Sequence, residues 1–256
     1  MEQTKNIAVL TGATGGLGYA FLKELQKENI DEIWAVGRNK DRLEKLSAEF
    51  GSRLVPMCLD LTVTEDVHAL SEALKRETPQ ISFLINNAGI AQMKPSKDLT
   101  EDEISNTVDL NCKAPAIISN ICLPYMKKGS RIINISSAAA FQPTPYINLY
   151  ASTKAFLRCY SRAMNVELKP AGITVTAVCP GWIDTDFLIK VINGKKVKFG
   201  GLVLPEKVAK KALMDAKKGK DMSVCTLYVK LMHTNVKFLP QKLTMKIWTG
   251  SVKKYF

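Results

Sequence analysis

Short apolar runs recur along the chain, and between them lie segments in which apolar residues return every three or four positions. Such runs predict strands buried on both faces, as in a parallel sheet, and the intervening spacing predicts helices that cover it. Helical spacing is clearest at Leu17–Leu25 and Val67–Leu74. The predicted strands are Ile7–Leu10, Ile33–Val36, Leu54–Leu59, Phe83–Ile85, Arg131–Ile135 and Thr174–Val178. The pattern therefore predicts an α/β fold, a doubly wound parallel sheet with helices on both faces.

The length of 256 residues suits one α/β domain, and we expect residues 1–256 to form it. The pattern is interrupted at about 190–204, where Asn193-Gly194-Lys195-Lys196 and Gly200-Gly201 predict a mobile insert. No apolar run approaches the roughly 18 residues of a membrane-spanning helix. The first five residues lead directly into the first predicted strand and leave no room for a signal peptide, so we expect a cytoplasmic protein.

Cysteine and histidine usage argues against a metal site. The six cysteines form no Cys-x-x-Cys pair, and the two histidines, His68 and His233, lie far apart in the sequence. Metal ligation and a Cys/His nucleophile are therefore disfavoured, and we expect no bound metal. The cysteines are expected to be free thiols that fill small spaces in the core.

Positive charge is concentrated in the last quarter of the chain. Residues 190–256 hold 16 lysines against Glu206, Asp215 and Asp221, a balance of +13, whereas residues 1–189 carry 20 basic and 21 acidic residues, a balance of −1. A solvated lysine-rich surface is the simplest interpretation, and an anionic substrate or an acidic membrane surface are the alternatives. Nucleic acid is disfavoured because the excess is entirely lysine and no binding motif accompanies it.

A glycine-rich turn follows the first predicted strand and leads directly into a helix. Its sequence is Thr11-Gly12-Ala13-Thr14-Gly15-Gly16-Leu17-Gly18. Glycines at such a turn let the backbone approach a pyrophosphate, whose charge the helix N-terminus stabilises. The spacing TGxxxGxG resembles the short-chain dehydrogenase/reductase family, a family with a Rossmann-type sheet. Later segments match its motifs in order over roughly residues 5–185, each at the end of a predicted strand: Asp60, Asn86-Asn87-Ala88-Gly89, and Pro180-Gly181-Trp182-Ile183-Asp184-Thr185.

The resemblance implies a nicotinamide dinucleotide cofactor. In this family an acid such as Asp60 binds the adenine amine, the NNAG segment lies beside the cofactor, and the PGxxxT segment contacts the nicotinamide. The implied cofactor-binding residues are Gly12, Thr14, Gly15, Gly16, Leu17, Gly18, Arg38, Asp60, Leu61, Asn87, Ala88, Gly89, Tyr150, Lys154, Pro180, Gly181, Ile183 and Thr185.

The end of the second predicted strand favours NADP(H) over NAD(H). NAD-preferring members of the family usually place an aspartate here, whereas this chain has Gly37 followed by Arg38. A carboxylate would repel a 2′-phosphate, and a guanidinium can pair with it. Since cells usually keep the NADP pool reduced, reduction of a carbonyl is the favoured direction. A solvent-facing arginine in a Gly-Arg-Asn turn is the alternative interpretation.

A tyrosine and a lysine stand one helical turn apart in Tyr150-Ala151-Ser152-Thr153-Lys154, so the phenol and the ammonium share one face. An unperturbed tyrosine, with a pKa near ~10, is a poor proton shuttle at neutral pH, and a nearby ammonium should lower that pKa. The segment matches the family's YxxxK motif. There the tyrosine donates the proton to the substrate oxygen, and the lysine lowers its pKa and holds the nicotinamide ribose.

Two further residues complete the family's catalytic set. Ser137 lies thirteen residues before Tyr150, the spacing of the serine that polarises the substrate oxygen; Ser136 is a nearby rival, and Ser137 is chosen on spacing alone. Asn111, expected in a helix, matches the member that supports a water chain to the lysine. The resemblance thus implies Asn111, Ser137, Tyr150 and Lys154 as catalytic residues of an NADP(H)-dependent oxidoreductase that interconverts a carbonyl and a secondary alcohol.

The substrate is expected to contact the least family-like part of the chain. The expected substrate-binding residues are Ser137, Phe141, Tyr146, Trp182 and Phe187, with residues 186–204 as a mobile lid. An ordinary core position is an equally open alternative for the aromatic residues. If they line a pocket, the small-molecule substrate is bulky and apolar, a steroid-like or long-chain ketone, and the lysines suit an anionic tail.

The basic C-terminal segment, residues 227–256, mixes lysines with apolar residues. Leu227–Trp248 is expected to form an amphipathic helical pair that lies on a membrane, packs on the domain or makes a subunit contact, and the last two are favoured. The resemblance implies a homo-oligomer, a dimer or tetramer. Two further hypotheses are a cofactor-binding sensor without turnover and a membrane- or partner-binding scaffold. The complete catalytic set disfavours the sensor.

Overall fold

The computed structural model describes residues 4–256, and its centre is a seven-stranded sheet in which every pair of neighbours is parallel. Its strands, numbered in chain order, are β1 (Asn6–Thr11), β2 (Glu32–Gly37), β3 (Leu54–Cys58), β4 (Gln80–Asn86), β5 (Met126–Ile135), β6 (Thr174–Val178) and β9 (Met222–Ser223). Their order in the sheet is β3-β2-β1-β4-β5-β6-β9. The chain starts in the middle, builds towards one edge, and returns to build towards the other, which is the doubly wound arrangement.

The helices cover both faces of this sheet, as the sequence predicts. They are α1 (Gly16–Leu25), α2 (Lys40–Phe50), α3 (Thr64–Glu77), α4 (Glu101–Val108), α5 (Ala114–Cys122), α6 (Asn148–Leu168), α7 (Pro205–Lys217), α8 (Leu227–Phe238) and α9 (Gln241–Val252). The predicted α/β fold class is confirmed. Five residues between α4 and α5, Asp109–Lys113, form a π-helical turn.

The strands are largely apolar because the central ones contribute to two cores. In β1, Ala8 and Leu10 join a cluster with α1, α2 and α7, whereas Ile7 and Val9 join a cluster with α3, α5 and α6 on the opposite face. Alternate side chains of a strand point to opposite faces, so both sets must be apolar in a sheet covered on both sides. The six predicted strands are all present. β9 was not predicted, since two residues are too few to produce a pattern.

The interrupted segment contains a short antiparallel hairpin of β7 (Val191–Ile192) and β8 (Lys195–Lys196). The hairpin and the residues just after it are hydrogen-bonded to the end of the chain. At its tip the Asn193 side-chain amide donates to the Tyr255 carbonyl oxygen (3.1 Å), and beyond β8 the Lys198 backbone amide donates to the Tyr255 hydroxyl (3.1 Å). The hairpin and the C-terminus therefore form one layer at the edge of the molecule.

The predicted amphipathic pair is present as α8 and α9, and it packs against the rest of the chain. The Trp248 indole N–H donates to the Pro145 carbonyl oxygen (2.7 Å), and Val229 and Val252 are buried. Within residues 4–256, no helix is long and apolar enough to cross a membrane.

A buried carboxylate joins α7 to β9 at the sheet edge. Asp215 is 1% exposed; it is paired with the Lys211 ammonium, lies 2.8 Å from the Lys220 Nζ and accepts a 2.8 Å hydrogen bond from the Ser223 hydroxyl. Burial alone would raise the pKa of the Asp215 carboxyl, but these three partners outweigh it and hold the pKa below its ordinary value.

We expect Asp215→Asn to lower the free energy of unfolding by about 2 kcal/mol at pH 7, since two ammonium groups lose their buried partner. Because the folded-state pKa is lowered, this contribution is present above about pH 4, the unfolded value, and is lost as the pH falls through the folded value. Urea unfolding at pH 7 and pH 3 measures it.

The control is Glu44→Gln, which breaks a fully exposed pair with Lys40 at the same four-residue spacing and should cost less than about 0.5 kcal/mol. Equal losses in the two variants, or a loss for Asp215→Asn that does not change with pH, would contradict the account.

Candidate active site

One large cavity, of about 1370 Å³, lies at the carboxyl ends of the sheet strands. Its walls run from the glycine-rich turn after β1, past the segments after β4, β5 and β6, to α8 and α9. In a doubly wound sheet the crevice opens where the chain reverses its direction of winding, between β1 and β4 in this molecule. The fold thus brings together segments that are more than 200 residues apart in sequence.

The glycine-rich turn is held tightly against the end of β4. Gly12 has φ +65°, and a Cβ on it would lie 2.8 Å from the Ala88 Cα, so only glycine fits. The Thr11 hydroxyl accepts hydrogen bonds from the backbone amides of Asn87 and Ala88 (both 3.0 Å). The Asn87 side-chain amide donates to the carbonyl oxygens of Thr11 and Gly12. These bonds account for the threonine at position 11 and the asparagine at position 87.

The N-terminus of α1 faces this part of the cavity. Its N-cap is Gly15, which offers no side chain to bond the first backbone N–H groups of the helix. Gly16 and Leu17 line the cavity, so these donors are available to an anion. Thr185 also reaches the turn: a Cβ on Gly16 would lie 2.7 Å from the Thr185 Cγ2.

Arg38 and Asp60, both expected to bind the cofactor, differ in their position relative to the cavity. Arg38 lines the cavity and is exposed, whereas Asp60 does not line it. The Asp60 carboxylate accepts bonds from the Thr62 backbone amide (3.0 Å) and hydroxyl (2.7 Å), and Arg38 lies 3.5 Å away. Burial raises the pKa of Asp60, but the bonds from Thr62 and the Arg38 charge outweigh it and leave the pKa lowered. Asp60 therefore anchors its own loop.

The other cofactor-binding residues implied by the sequence all line the cavity; they are Gly12, Thr14, Gly15, Gly16, Leu17, Gly18, Arg38, Leu61, Asn87, Ala88, Gly89, Tyr150, Lys154, Pro180, Gly181, Ile183 and Thr185. Among residues 4–256, no aspartate or glutamate lines it, whereas Arg38, Lys154, Lys198 and Lys254 do. The site is therefore positively charged, as a multiply anionic ligand requires.

Ser137, Tyr150 and Lys154 meet on one wall of the cavity. Tyr150 lies in the first turn of α6 and Lys154 one turn later, with its ammonium 5.7 Å from the centre of the phenol ring and bonded to the Ile135 carbonyl oxygen (2.8 Å). Ser136, the rival of Ser137, donates its hydroxyl to the Lys154 carbonyl oxygen (2.7 Å) and is 1% exposed. It joins β5 to α6, whereas Ser137 lines the cavity, close enough to Tyr150 for its hydroxyl to oppose the rise of the phenol pKa.

Burial controls the acidity of both groups. It raises the pKa of Tyr150 to about 12, against a smaller opposing effect of the Ser137 hydrogen bond, and it lowers the pKa of Lys154 to about 8. The expectation that Lys154 lowers the Tyr150 pKa is therefore wrong for this arrangement. The low-polarity wall disfavours both charged forms, and the ammonium is directed at a backbone carbonyl oxygen rather than at the phenol oxygen.

Asn111 lies in a helical segment, as expected, within the π-helical turn between α4 and α5, and it is fully buried. Its amide donates to the Ile90 carbonyl oxygen (2.9 Å) and the Thr153 hydroxyl (3.0 Å), and its oxygen accepts from the Ile90 amide (3.0 Å). A Cβ on Gly89 would lie 3.1 Å from the Asn111 Oδ1 and 3.2 Å from the Lys154 Nζ. The glycine thus leaves a gap in which Asn111 and Lys154 approach each other.

The aromatic residues expected at the substrate divide into two groups. Trp182 and Phe187 line the cavity together with Ser137. Phe141 and Tyr146 do not: Phe141 is turned towards α8 and stacks on His233 (ring centres 4.2 Å apart), and Tyr146 stacks on Phe256 (4.4 Å). Both lie at a smaller neighbouring pocket, where they support the C-terminal segment.

Sequence reasoning missed the residues of α8 and α9 that form the far wall of the cavity. They include Met232 and Val236 of α8, Ile247, Trp248 and Val252 of α9, and Leu239 in the link between the two helices. The amphipathic spacing of this segment predicts the helices, but spacing alone does not indicate what an apolar face covers.

Residues 6–196 match the model of the short chain dehydrogenase family. A very-long-chain 3-oxoacyl-CoA reductase from Anas platyrhynchos is 33% identical over 188 residues, 70% of this chain and 60% of that protein. A serine 3-dehydrogenase from Agrobacterium fabrum is 33% identical over 190 residues, 73% of this chain and 76% of that protein.

The solved structure of a short-chain dehydrogenase from Sphingobium yanoikuyae in complex with NADPH is similar with a TM-score of 0.80 at 26% identity, covering 93% of this chain and 95% of that one. Fold, sequence motifs and family match agree: this chain belongs to the short-chain dehydrogenase family of oxidoreductases.

Proposed function

We propose that this oxidoreductase uses NADPH to reduce the carbonyl group of a bulky apolar substrate to a secondary alcohol, with Tyr150 as the proton donor. The observation that carries the proposal is the meeting of Ser137, Tyr150 and Lys154 on one wall of a cavity that also contains the glycine-rich turn. A proton donor and a dinucleotide site on the same cavity are the two parts that carbonyl reduction needs.

The residues around the cavity fit a nicotinamide dinucleotide. The uncapped N-terminus of α1 suits the pyrophosphate. Because Gly12 has no side chain, the turn packs closely against Ala88 and its backbone remains accessible to the ligand. Arg38 at the rim suits a 2′-phosphate, since its guanidinium is exposed and its 3.5 Å ion pair with Asp60 uses one nitrogen, which leaves other N–H donors for the phosphate. The solved NADPH complex of the relative from Sphingobium yanoikuyae supports the same choice.

When bound, the reduced cofactor supplies a hydride to the carbonyl carbon. Tyr150 donates its phenolic proton to the carbonyl oxygen, so the added hydride and proton together give the alcohol. A pKa of about 12 keeps the phenol protonated through the neutral range, ready to act as an acid. Ser137, on the same wall of the cavity as Tyr150, is placed to orient the same substrate oxygen.

Lys154 holds the nicotinamide ribose. Asn111 positions it: by bonding Ile90 and Thr153, it fixes the π-helical turn against the base of α6. The gap at Gly89 leaves the Lys154 ammonium open on that side, where a proton can be returned to it.

The lining of the cavity supports a bulky apolar substrate. Beyond Tyr150 the walls are formed by Trp182 and Phe187 and by the apolar faces of α8 and α9. The volume of about 1370 Å³ exceeds the roughly 300–1,000 Å³ of a typical ligand site, which leaves room for a substrate beside a dinucleotide. We infer that residues 186–204 are the lid, and Lys198 and Lys254 at the cavity edge suit an anionic group on the substrate.

Tyr150→Phe should lower the rate of ketone reduction by at least about 10³-fold, because the proton donor is removed, while the dissociation constant for NADPH changes less than about threefold. Steady-state assay and fluorescence titration measure the two quantities. Tyr160→Phe, on the same helix and half-buried, is the control and should keep nearly full activity. Comparable activity in Tyr150→Phe would remove the mechanism.

Arg38→Asp should weaken NADPH binding by about 10- to 100-fold and leave NADH binding nearly unchanged, because only NADPH carries the 2′-phosphate. Arg42→Asp makes the same change of charge on the neighbouring helix, outside the cavity, and should affect both nucleotides alike. If Arg38→Asp weakens both nucleotides equally, the cofactor preference proposed is wrong.

Between about pH 7 and pH 8, above the titration of the 2′-phosphate, NADPH binding should be nearly constant, and above about pH 8 it should weaken progressively. The lowered pKa of Lys154 means that its ammonium is present below about pH 8 and is lost as the pH rises through that value, and with it the contact to the ribose. Titrations from pH 6 to 10 measure the profile. Lys154→Met should bind more weakly with no break near pH 8; the same break in that variant would assign it to another group.

A further inference from the structure

Exposed apolar side chains are concentrated in the part of the chain that forms the far wall of the cavity. Of the 18 large apolar side chains that are exposed within residues 4–256, 12 lie at or after Phe187. We use the name apolar rim for six of them: Phe187, Val191, Leu231, Phe238, Leu243 and Ile247. Three of the six, Phe187, Leu231 and Ile247, also line the cavity. The interior lining therefore continues outwards onto the surface.

The outward faces of α8 and α9 have no cover within the described part of the chain. In α8 only Val229 is buried, and Phe238 is 81% exposed; in α9 Thr244 and Val252 are buried, and Ile247 is 62% exposed. Each helix thus presents one apolar face to the cavity and a second to the outside. An exposed apolar surface of this extent indicates an interaction site.

Lysines surround the apolar rim without a single acid among them. The two segments that form it, 187–204 and 222–256, contain ten lysines and no aspartate or glutamate. None of these lysines has a carboxylate partner in an ion pair among residues 4–256. The lysines of α7 differ, since Lys211 pairs with Asp215 and Lys217 with Glu28.

The charge decides which partner suits this surface. A second copy placed symmetrically on the apolar rim would bring ten lysines against ten lysines with no acid to offset them. A rigid protein partner would also close the mouth of the cavity. An anionic lipid surface matches the lysines with its headgroups, receives the apolar side chains in its acyl boundary and leaves an apolar substrate able to enter from the lipid.

We propose that the apolar rim and its surrounding lysines dock on an anionic membrane surface, with the mouth of the cavity turned towards the lipid. The apolar side chains insert shallowly, and no segment crosses the bilayer. The role of the cavity as the route of the substrate rests on the proposed function, whereas the docking itself does not.

The test is sedimentation of the full-length protein with vesicles of phosphatidylcholine alone or of phosphatidylcholine with phosphatidylserine. We expect binding only to the anionic vesicles, weakened by salt. Replacing Lys237, Lys242 and Lys246 with glutamate should reduce the partition coefficient at least about tenfold. The matched control replaces Lys207, Lys210 and Lys218, which lie on and beside α7, and should reduce it much less.

A second pair of variants tests the apolar contribution. Phe238→Ser and Leu243→Ser, both outside the cavity lining, should weaken binding to the anionic vesicles, whereas Val166→Ser and Ile104→Ser, exposed on other helices, should not. Circular dichroism shows that each variant is folded, and NADPH titration of the same samples keeps docking separate from cofactor binding.

Several results would overturn the proposal. They are equal binding to neutral and anionic vesicles, equal losses in the two lysine triples, or a dimer in solution that Phe238→Ser dissociates while vesicles bind nothing. A protein that docks but reduces no ketone would contradict the proposed function alone. A protein that reduces ketones in solution and never binds vesicles would contradict only the docking.

Discussion

The pairing of β1 with β4 is the constraint on which the rest of the molecule depends. Because these neighbouring strands belong to opposite directions of winding, the segments that follow them diverge, and a crevice opens at their carboxyl ends. The Thr11 hydroxyl closes its base by accepting two backbone amides from the end of β4. This contact fixes the position of the glycine-rich turn on one side and of Gly89 on the other. The geometry of the dinucleotide site and the space beside the Lys154 ammonium therefore depend on the same contact.

Within residues 4–256, the positive charge of the cavity lining is not balanced by acidic side chains of the lining. A lysine that is 3% exposed stands in a cavity whose lining, over the described chain, contains no carboxylate to neutralise it. Burial of an ammonium without a carboxylate partner is unfavourable, and the lowered pKa of Lys154 expresses that cost. An anionic ligand removes the imbalance. The folded protein thus already contains an uncompensated positive charge that favours the binding of an anionic dinucleotide.

The sequence predicts the fold and the residues that meet at the carboxyl ends of the strands, and it does so for one physical reason. Strands buried on both faces must be apolar throughout, and residues at their carboxyl ends must serve the crevice, so both leave local patterns. Phe141 and Tyr146 left no such pattern: their neighbours in sequence line the cavity, but their side chains turn to support α8 and the C-terminus. The pKa of Tyr150 depends on burial, which the four-residue spacing to Lys154 does not reveal. The role of α8 and α9 depends on their packing beside cavity residues that are distant in the sequence.

The division of the cavity along the chain has a further consequence. Nearly everything that faces the dinucleotide half precedes Thr185, whereas most of the opposite wall comes from the residues that follow it. A single genetic crossover near that threonine would therefore exchange much of the wall that is proposed to contact the substrate, while the sheet, the glycine-rich turn and the tyrosine–lysine pair would be inherited intact. Such an arrangement allows a lineage to acquire new specificities by recombination without having to rebuild its chemistry.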